Sequence, residues 1–436
     1  MGKEMPNAAR LKRALWQGAS RQAADLMRAE PELATRDLAV AAMVYDLPAA
    51  TRILSQDPSA LTRNENGRSP FVCFAFSRFA APGEKQDERL AMAHLLTQAG
   101  ADVNDSYMHE DPHFGTAPLS ALYGAIGHAG HLDLAEFLLE KGADPNDGES
   151  LYHASELGTP DGVLMLLRYG AKPQGTNALG RALDFDCLES VKALLAAGAD
   201  PSEGVSHIHH AIIRGCSAPV MQALIDGGAD YTEINQGVSA YGSAIAHGLL
   251  GVAETLAEAG ADTTLSPLEE AFRTIARAAF EGSKAPPQQL ENVDLPEAYQ
   301  GLLAQMVAWP KAWPYITALV EQGINPHDPE GQNMPPFHLA GWEGLPDRLA
   351  YFLDLKPDLA HINAYGGNLF STVLHGAEHC PARATRDHVG AMRLALQAGA
   401  EVPRPALEVA ANEPVQRLLK DWVAAHPNSL VEDGIW

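Results

Sequence analysis

The chain has 436 residues, 46% of them apolar, and its 31 basic and 55 acidic side chains leave a net charge of -24. Such a length fills two or three ordinary domains or one elongated repeat domain. The acidic excess repels phosphate-rich partners, and no basic strip in the sequence offsets it, so nucleic acid is not an expected ligand.

The opening MGKEMPNAARLKRALWQG mixes charges with apolar residues and has no continuous apolar core of a secretory leader. Every later Leu-rich run is broken by Gly, Asp or Pro well short of the roughly 18–20 apolar residues of a membrane span, so the expected location is the cytoplasm and no membrane contact is expected. Cys73, Cys187, Cys216 and Cys380 are far apart and form no C-x-x-C pair. They read as small core residues rather than disulfide or zinc ligands.

In chain order, AEPELATRD near Glu30 and SQDPSALTRN near Asp57 each close an apolar helix with a Pro-containing stop. From Gln98 a stronger phrase takes over: QAGADVN, EKGADPN, RYGAKPQ, AAGADPS, DGGADYT, EAGADTT, EQGINPH and QAGAEVP, the last ending at Pro403. Each copy ends a run with apolar residues at helical spacing, such as DLAEFLLE or SVKALLAA, and its Gly is placed to take a left-handed conformation just past the helix. A second phrase opens another short helix ahead of most of these glycines: SPFVCFA from Ser69, ESLYHAS from Glu149, NALGRAL from Asn177, SHIHHAI from Ser206 and PPFHLAG from Pro335. The small residues Ala154, Ala182 and Ala211 near its end let two helices approach closely. Each unit is therefore helix, turn, helix, glycine, and about a dozen such units begin near residues 10, 38, 66, 115, 148, 176, 204, 237, 265, 331, 366 and 404.

This pattern, G-x-T-P-L-H-x-A followed by a second helix and G-A-D-x-N, resembles ankyrin repeats over nearly the whole chain. The nearest matches are Gly204 to Ala211 and Gly115 to Asn146, which keeps Pro118, Gly130, His131 and Gly142-Ala143-Asp144. The resemblance implies an all-α ankyrin-repeat solenoid over 1–436: degenerate repeats at 1–65, the clearest at 66–264, a repeat with a long insertion at 265–330, C-terminal repeats and a cap at 331–424, and a tail at 425–436. The family period is about 33 residues, yet Gly142, Gly170 and Gly198 are 28 apart. The missing residues fall in the hairpin, which predicts stubby tips there. Long loops are expected at 79–89, 104–118, 276–298 and 376–388, the third a surface loop joining two extended helices.

Two histidine clusters raise the question of chemistry. In HIHH, His209 falls on the repeat's ordinary His position and His207 on its Pro position, so both read as structural, with side chains bonded to backbone. His375, Glu378 and His379 spell H-x-x-E-H, the letters of an inverted zinc-peptidase helix, but Gly376 weakens that helix and Cys380-Pro381 ends it at once. No phosphate-binding loop, dinucleotide fingerprint or nucleophile elbow occurs.

What the resemblance implies for function is a monomeric protein-interaction module, adaptor or inhibitor, with no cofactor and no catalysis, holding another protein in its concave face, where the acidic charge of the chain suits a basic partner. Carrying the family's groove positions over repeat by repeat picks Glu156 and Leu157, Asp184 and Phe185, Ile213 and Arg214, Ala246 and His247, and Trp342 and Glu343 as contacts, with the aromatics Phe185 and Trp342 foremost. Trp309 and Trp313, flanking the insertion, are expected in the core. The alternatives are an immunity or antitoxin protein covering a basic enzyme, and a zinc hydrolase using His375, Glu378 and His379.

Overall fold

The computed structural model describes residues 7–111, 115–204, 206–410 and 412–435. Parts of the regions assigned above to 1–65, 104–118, 204–211, 404–424 and 425–436 thus lie outside the described residues. The chain is mostly helical, with short hairpins, and divides into two compact units, Met1–Asp200 and Pro201–Trp436.

In the first unit, helices follow one another in pairs: Asn7–Gln17 with Ser20–Ala29, Leu38–Met43 with Leu47–Gln56, Pro70–Ala75 with Gln86–Gln98, and Ala121–Tyr123 continued by a π-turn at Gly124–His128 with Leu132–Glu140. Ser150–Ala154 with Asp161–Arg168 and Ala178–Asp184 with Leu188–Ala196 complete it. The first helices are short because capping residues set their starts: Ser69 Oγ accepts from the Val72 amide at 3.1 Å and Ser120 Oγ from the Tyr123 amide at 2.9 Å. Ser150–Ala154 packs on Ala178–Asp184, and Asp161–Arg168 on Leu188–Ala196, so first helices meet first helices and second meet second. Ala154 and Ala182 are fully buried where they do so.

The glycines of the recurring phrase do what their position predicts. Gly100, Gly142, Gly170, Gly198, Gly228, Gly260, Gly323 and Gly399 all have φ between +90° and +105°. At Gly142 the amide donates to the Leu139 carbonyl at 3.0 Å and the Ala143 amide to Leu138 at 2.9 Å, the paired bonds of a Schellman ending. The Asp two residues after the glycine folds the next turn, as when Asp144 Oδ1 accepts from the Asn146 amide at 2.9 Å. The Asn then reaches the neighbouring unit: Asn104 Oδ1 accepts from the Asp144 amide at 2.8 Å, and Asn146 Oδ1 from the Lys172 amide at 2.8 Å. The G-A-D-x-N phrase thus ends one helix and ties its repeat to the next.

Where the spacing shrinks to 28, residues 143–149 and 171–177 contain no strand, as the missing residues predict. The segment 104–118, expected as a loop, is instead largely an antiparallel hairpin, Ser106–Asp111 with Gly115–Ser120. Of the loop expected at 79–89, residues 86–89 are instead the first turn of the helix Gln86–Gln98, where Arg89, fully buried, donates from Nε and Nη2 to Asp133 at 3.0 and 2.9 Å and from Nη1 to the Glu84 carbonyl at 3.0 Å.

In the second unit the pairs are His207–Ile213 with Ala218–Asp226, Ala240–Ala246 with Leu250–Glu258, Pro267–Phe280 with Trp313–Glu321, Pro336–Trp342 with Pro346–Asp354, Leu369–His379 with His388–Gln397, and Ala406–Val409 with Glu413–Ala425. In the insertion between Phe280 and Trp313, residues 281–296 form no helix or strand and are mostly exposed, as expected of a surface loop, but the insertion as a whole is anchored in the core. It carries a 3-10 turn at Glu297–Tyr299 and a helix at Leu302–Met306, and it buries Leu290, Tyr299, Leu303 and Met306. Tyr299 Oη donates to Glu269 Oε1 at 2.6 Å, and the Leu290 amide to the Gln322 carbonyl at 2.9 Å. Trp313 and Trp309 are both half-buried. The tail also folds back, pairing Leu430–Val431 in parallel with Val402–Pro403.

Candidate partner-binding surface

Three of the residues expected to face a partner meet in the first unit. Glu156 follows the helix Ser150–Ala154, Asp184 ends the helix Ala178–Asp184, and Phe185 is that helix's C-cap. Arg181, one turn before Asp184, joins them. Its Nε and Nη2 reach Glu156 Oε1 at 2.8 and 2.7 Å, and its Nη1 reaches Asp184 Oδ2 at 2.7 Å. The guanidinium lies 5.4 Å from the Tyr152 ring centroid and 5.2 Å from that of Phe185, within cation–π range of both. His153 continues the row, with Nδ1 3.1 Å from Glu156 Oε2 and its ring edge-on to Tyr123 at 4.9 Å.

These side chains are half-buried, which strengthens their ion pairs without removing them from contact. Burial pushes the Glu156 carboxyl up, but the His153 hydrogen bond and the charges of His153 and Arg181 outweigh it and hold Glu156 below its ordinary value. Leu157 sits beside this row, half-buried. Sequence reasoning missed Arg181, Tyr152 and His153. The available signal was the i, i+3 spacing of Arg181 and Asp184, which puts them on one helical face.

In the second unit, Ile213 is half-buried and Arg214 exposed at the end of the helix His207–Ile213. Ala246 and His247 depart from the expected open position, since both are buried and His247 is only 1% exposed. The insertion covers this place: His247 Nε2 lies 2.8 Å from Gln305 Oε1, its Nδ1 2.8 Å from the Ser243 carbonyl, and its ring stacks on Trp309 at 5.9 Å. Trp342 and Glu343 are half-buried against the following pair. The Trp342 ring lies 6.1 Å from that of His375, and its carbonyl lies 2.9 Å from His388 Nε2. Glu343 Oε2 is 3.7 Å from both Cys380 Sγ and Arg386 Nη2, and burial raises its carboxyl above the ordinary value.

Two imidazoles of HIHH, His207 and His209, are committed to the backbone as their repeat positions imply. His207 Nδ1 lies 2.7 Å from the Pro201 carbonyl and His209 Nε2 3.1 Å from that of Glu233. His375 and His379 stand one turn apart with ring centroids at 4.4 Å, on a helix that ends at His379. Among the described residues no three His, Cys, Asp or Glu side chains are grouped to hold a metal ion, and no helix is long and apolar enough to cross a membrane.

A family model for ankyrin repeats, in three copies, matches residues 122–205. Ankyrin repeat and SOCS box protein 6 of Homo sapiens and of Pongo abelii are each 30% identical over 166 residues, covering 36% of this chain and 36% of the relative. The chain therefore matches little more than a third of the length of these curated relatives. Among solved structures, the human ASB11 ankyrin repeat domain superposes with a TM-score of 0.40 at 20% identity, covering 52% of this chain and 99% of that one. The ankyrin repeat domain of Bcl-3, a member of the IkappaB protein family, gives a TM-score of 0.34 at 24% identity, covering 45% and 89%. The protein is a mostly helical chain with short hairpins that carries ankyrin repeats across residues 122–205.

Proposed function

We propose that this protein is an interaction module that holds another protein against the ends of its first helices, as an adaptor or inhibitor without a reaction of its own. The supporting observation is the row Tyr152, Glu156, Arg181, Asp184 and Phe185. Its ion pairs and ring contacts fix rotamers in advance, and its aromatic and Arg side chains supply the contact types that dominate binding energy. Ankyrin repeats, present at 122–205, are typically protein-binding. The same reading takes residues 1–436 as one array of about a dozen repeats, monomeric and cytoplasmic, with Trp342 and Glu343 as a second contact point. A basic partner, such as an enzyme covered by an immunity protein, is the second reading, favoured by the two carboxylates Glu156 and Asp184 on Arg181 and a third, Glu149, beside His153.

Affinity capture with the tagged full chain, read by mass spectrometry, tests the proposal. Partners held by the wild type are expected to be lost from Arg181→Glu and Phe185→Ala and weakened in Trp342→Ala. Retention of every partner by all three variants, with their melting temperatures unchanged, removes this surface from consideration.

A further inference from the structure

The acidic excess of the chain conceals one place where cations gather. In the first unit, the helix Asn7–Gln17, the start of the helix Leu38–Met43, the turn that follows the 3-10 helix Pro58–Thr62 and the helix Pro70–Ala75 line a cavity of about 630 Å³. Lys12, Arg13, Arg36, Arg63 and Arg68 stand in its wall. They are scattered over more than fifty positions of sequence, so no basic strip is visible until the chain folds.

The carboxylates in the wall are Asp37 and Glu65, and both are spent on Lys12, at 2.7 and 2.5 Å from Nζ. The arginines are held more loosely or differently. Arg36 pairs with Glu32 at 3.4 Å and Arg63 with Asp57 at 2.6 Å, and in both pairs each side chain is more than 40% exposed. Pairs so exposed are worth little and exchange readily for another carboxylate. Arg68 is positioned by stacking: its guanidinium lies 4.2 Å from the Trp16 ring centroid and 4.5 Å from that of Tyr107. Trp16 is itself locked, stacked on Phe76 at 4.3 Å. Stacking occupies the faces of a guanidinium and leaves its N–H edge as the donor side, the geometry that pairs with a carboxylate.

The volume falls within the range of ligand-binding cavities, about 300–1,000 Å³. The cations come from three separate segments, the helix Asn7–Gln17, the short helix Leu33–Arg36 and the turn after Pro58–Thr62, and neither a glycine-rich loop nor a strand-to-helix turn focuses them on one point as a phosphate site does. Arginines spread along a wall suit successive carboxylates on an extended chain instead. We propose that this cavity takes an acidic peptide segment of a partner protein, its Asp or Glu carboxylates pairing with Arg13, Arg36, Arg63 and Arg68 beside Trp16. The site differs in residues and in charge preference from the row around Arg181, so either can fail without the other.

The test is fluorescence anisotropy of labelled hexaglutamate titrated with the full chain, alongside hexalysine and inorganic phosphate as a competitor. Saturable binding of hexaglutamate is expected, weakened by added salt. The double variant Arg13→Glu/Arg63→Glu is expected to lose ~10-fold or more in affinity. The variant Lys141→Glu/Arg168→Glu, which makes the same change in charge elsewhere in the unit, is expected to bind as the wild type does. Should the first double variant melt early, the single Arg36→Glu carries the test, since that side chain is 75% exposed. No saturable binding, equal loss in both double variants, or binding of phosphate without hexaglutamate each overturns the proposal.

Discussion

Arg181 and Glu156 join two consecutive helix pairs through a guanidinium that donates to a single carboxylate oxygen at 2.8 and 2.7 Å. The bond crosses from the end of one short helix to the body of the next, so it ties two repeats together and also shapes what a partner would touch. Asp184 and the rings of Tyr152 and Phe185 complete the seat of the guanidinium.

Replacing Arg181 by Ala should lower the stability of the chain by about 1 kcal/mol, a value reduced for the partial solvent screening of the pair. Arg181→Lys should recover only part of this, because a single ammonium cannot reach both carboxylates in the planar arrangement the guanidinium provides. Urea midpoints of the three proteins check the order. A lysine variant equal to the wild type would mean that charge alone matters.

Acid should unfold the protein in two stages. Burial holds His131 at about 4, with the Arg89 charge adding to it, and holds His338 at about 3, both below the ordinary 6.5. A histidine kept neutral in the fold costs nothing above pH 6.5. As the pH falls below that value the unfolded chain takes up the proton first, removing up to about 1.4 kcal/mol per pH unit for each such group until the folded value is reached. Glu156, held below its ordinary 4.5, contributes stability that is present above that value and is lost as the pH falls through its folded value. Denaturation midpoints between pH 7 and 4.5 should therefore decline, and His131→Gln should flatten that decline. An unchanged slope in the variant would show that His131 titrates normally.

The glycines separate conformational cost from steric cost. A Cβ at Gly142 meets nothing within 4 Å, so Gly142→Ala should cost only the left-handed backbone, about 1–2 kcal/mol. At Gly248, where φ is +70°, a Cβ would lie 2.7 Å from the Tyr315 ring, a side chain fully buried with its hydroxyl bonded to the Ala246 carbonyl at 2.9 Å. Gly248→Ala should therefore cost more than Gly142→Ala, and thermal melts of the two variants give the comparison directly.

Tyr299→Phe tests whether the insertion is part of the core. The phenol is 1% exposed, and its loss leaves Glu269 Oε1, itself on a residue only 7% exposed, without that donor. A loss of about 1–3 kcal/mol is expected. A variant as stable as the wild type would return this segment to the status of a surface loop.

Much of this architecture can be read locally. A glycine after an apolar helix, followed by Asp and Asn, carries its own instructions: the left-handed residue closes the helix, the Asp folds the turn and the Asn reaches the next unit. The 28-residue spacing reveals the missing hairpins for the same reason, since a repeat of fixed helix length has nowhere else to lose residues. The frame alone also puts Glu156 and Phe185 just past the ends of their first helices.

Contacts between residues distant in sequence follow a different logic. That Gln305 and Trp309 cover His247, that Leu430–Val431 pairs with Val402–Pro403, and that five cations from Lys12 to Arg68 share one cavity are outcomes of packing between segments whose patterns do not refer to one another. Periodicity and turn chemistry act over a few residues and so determine the repeat. Burial and charge are properties of the space around a side chain, and that space exists only once the segments have been brought together.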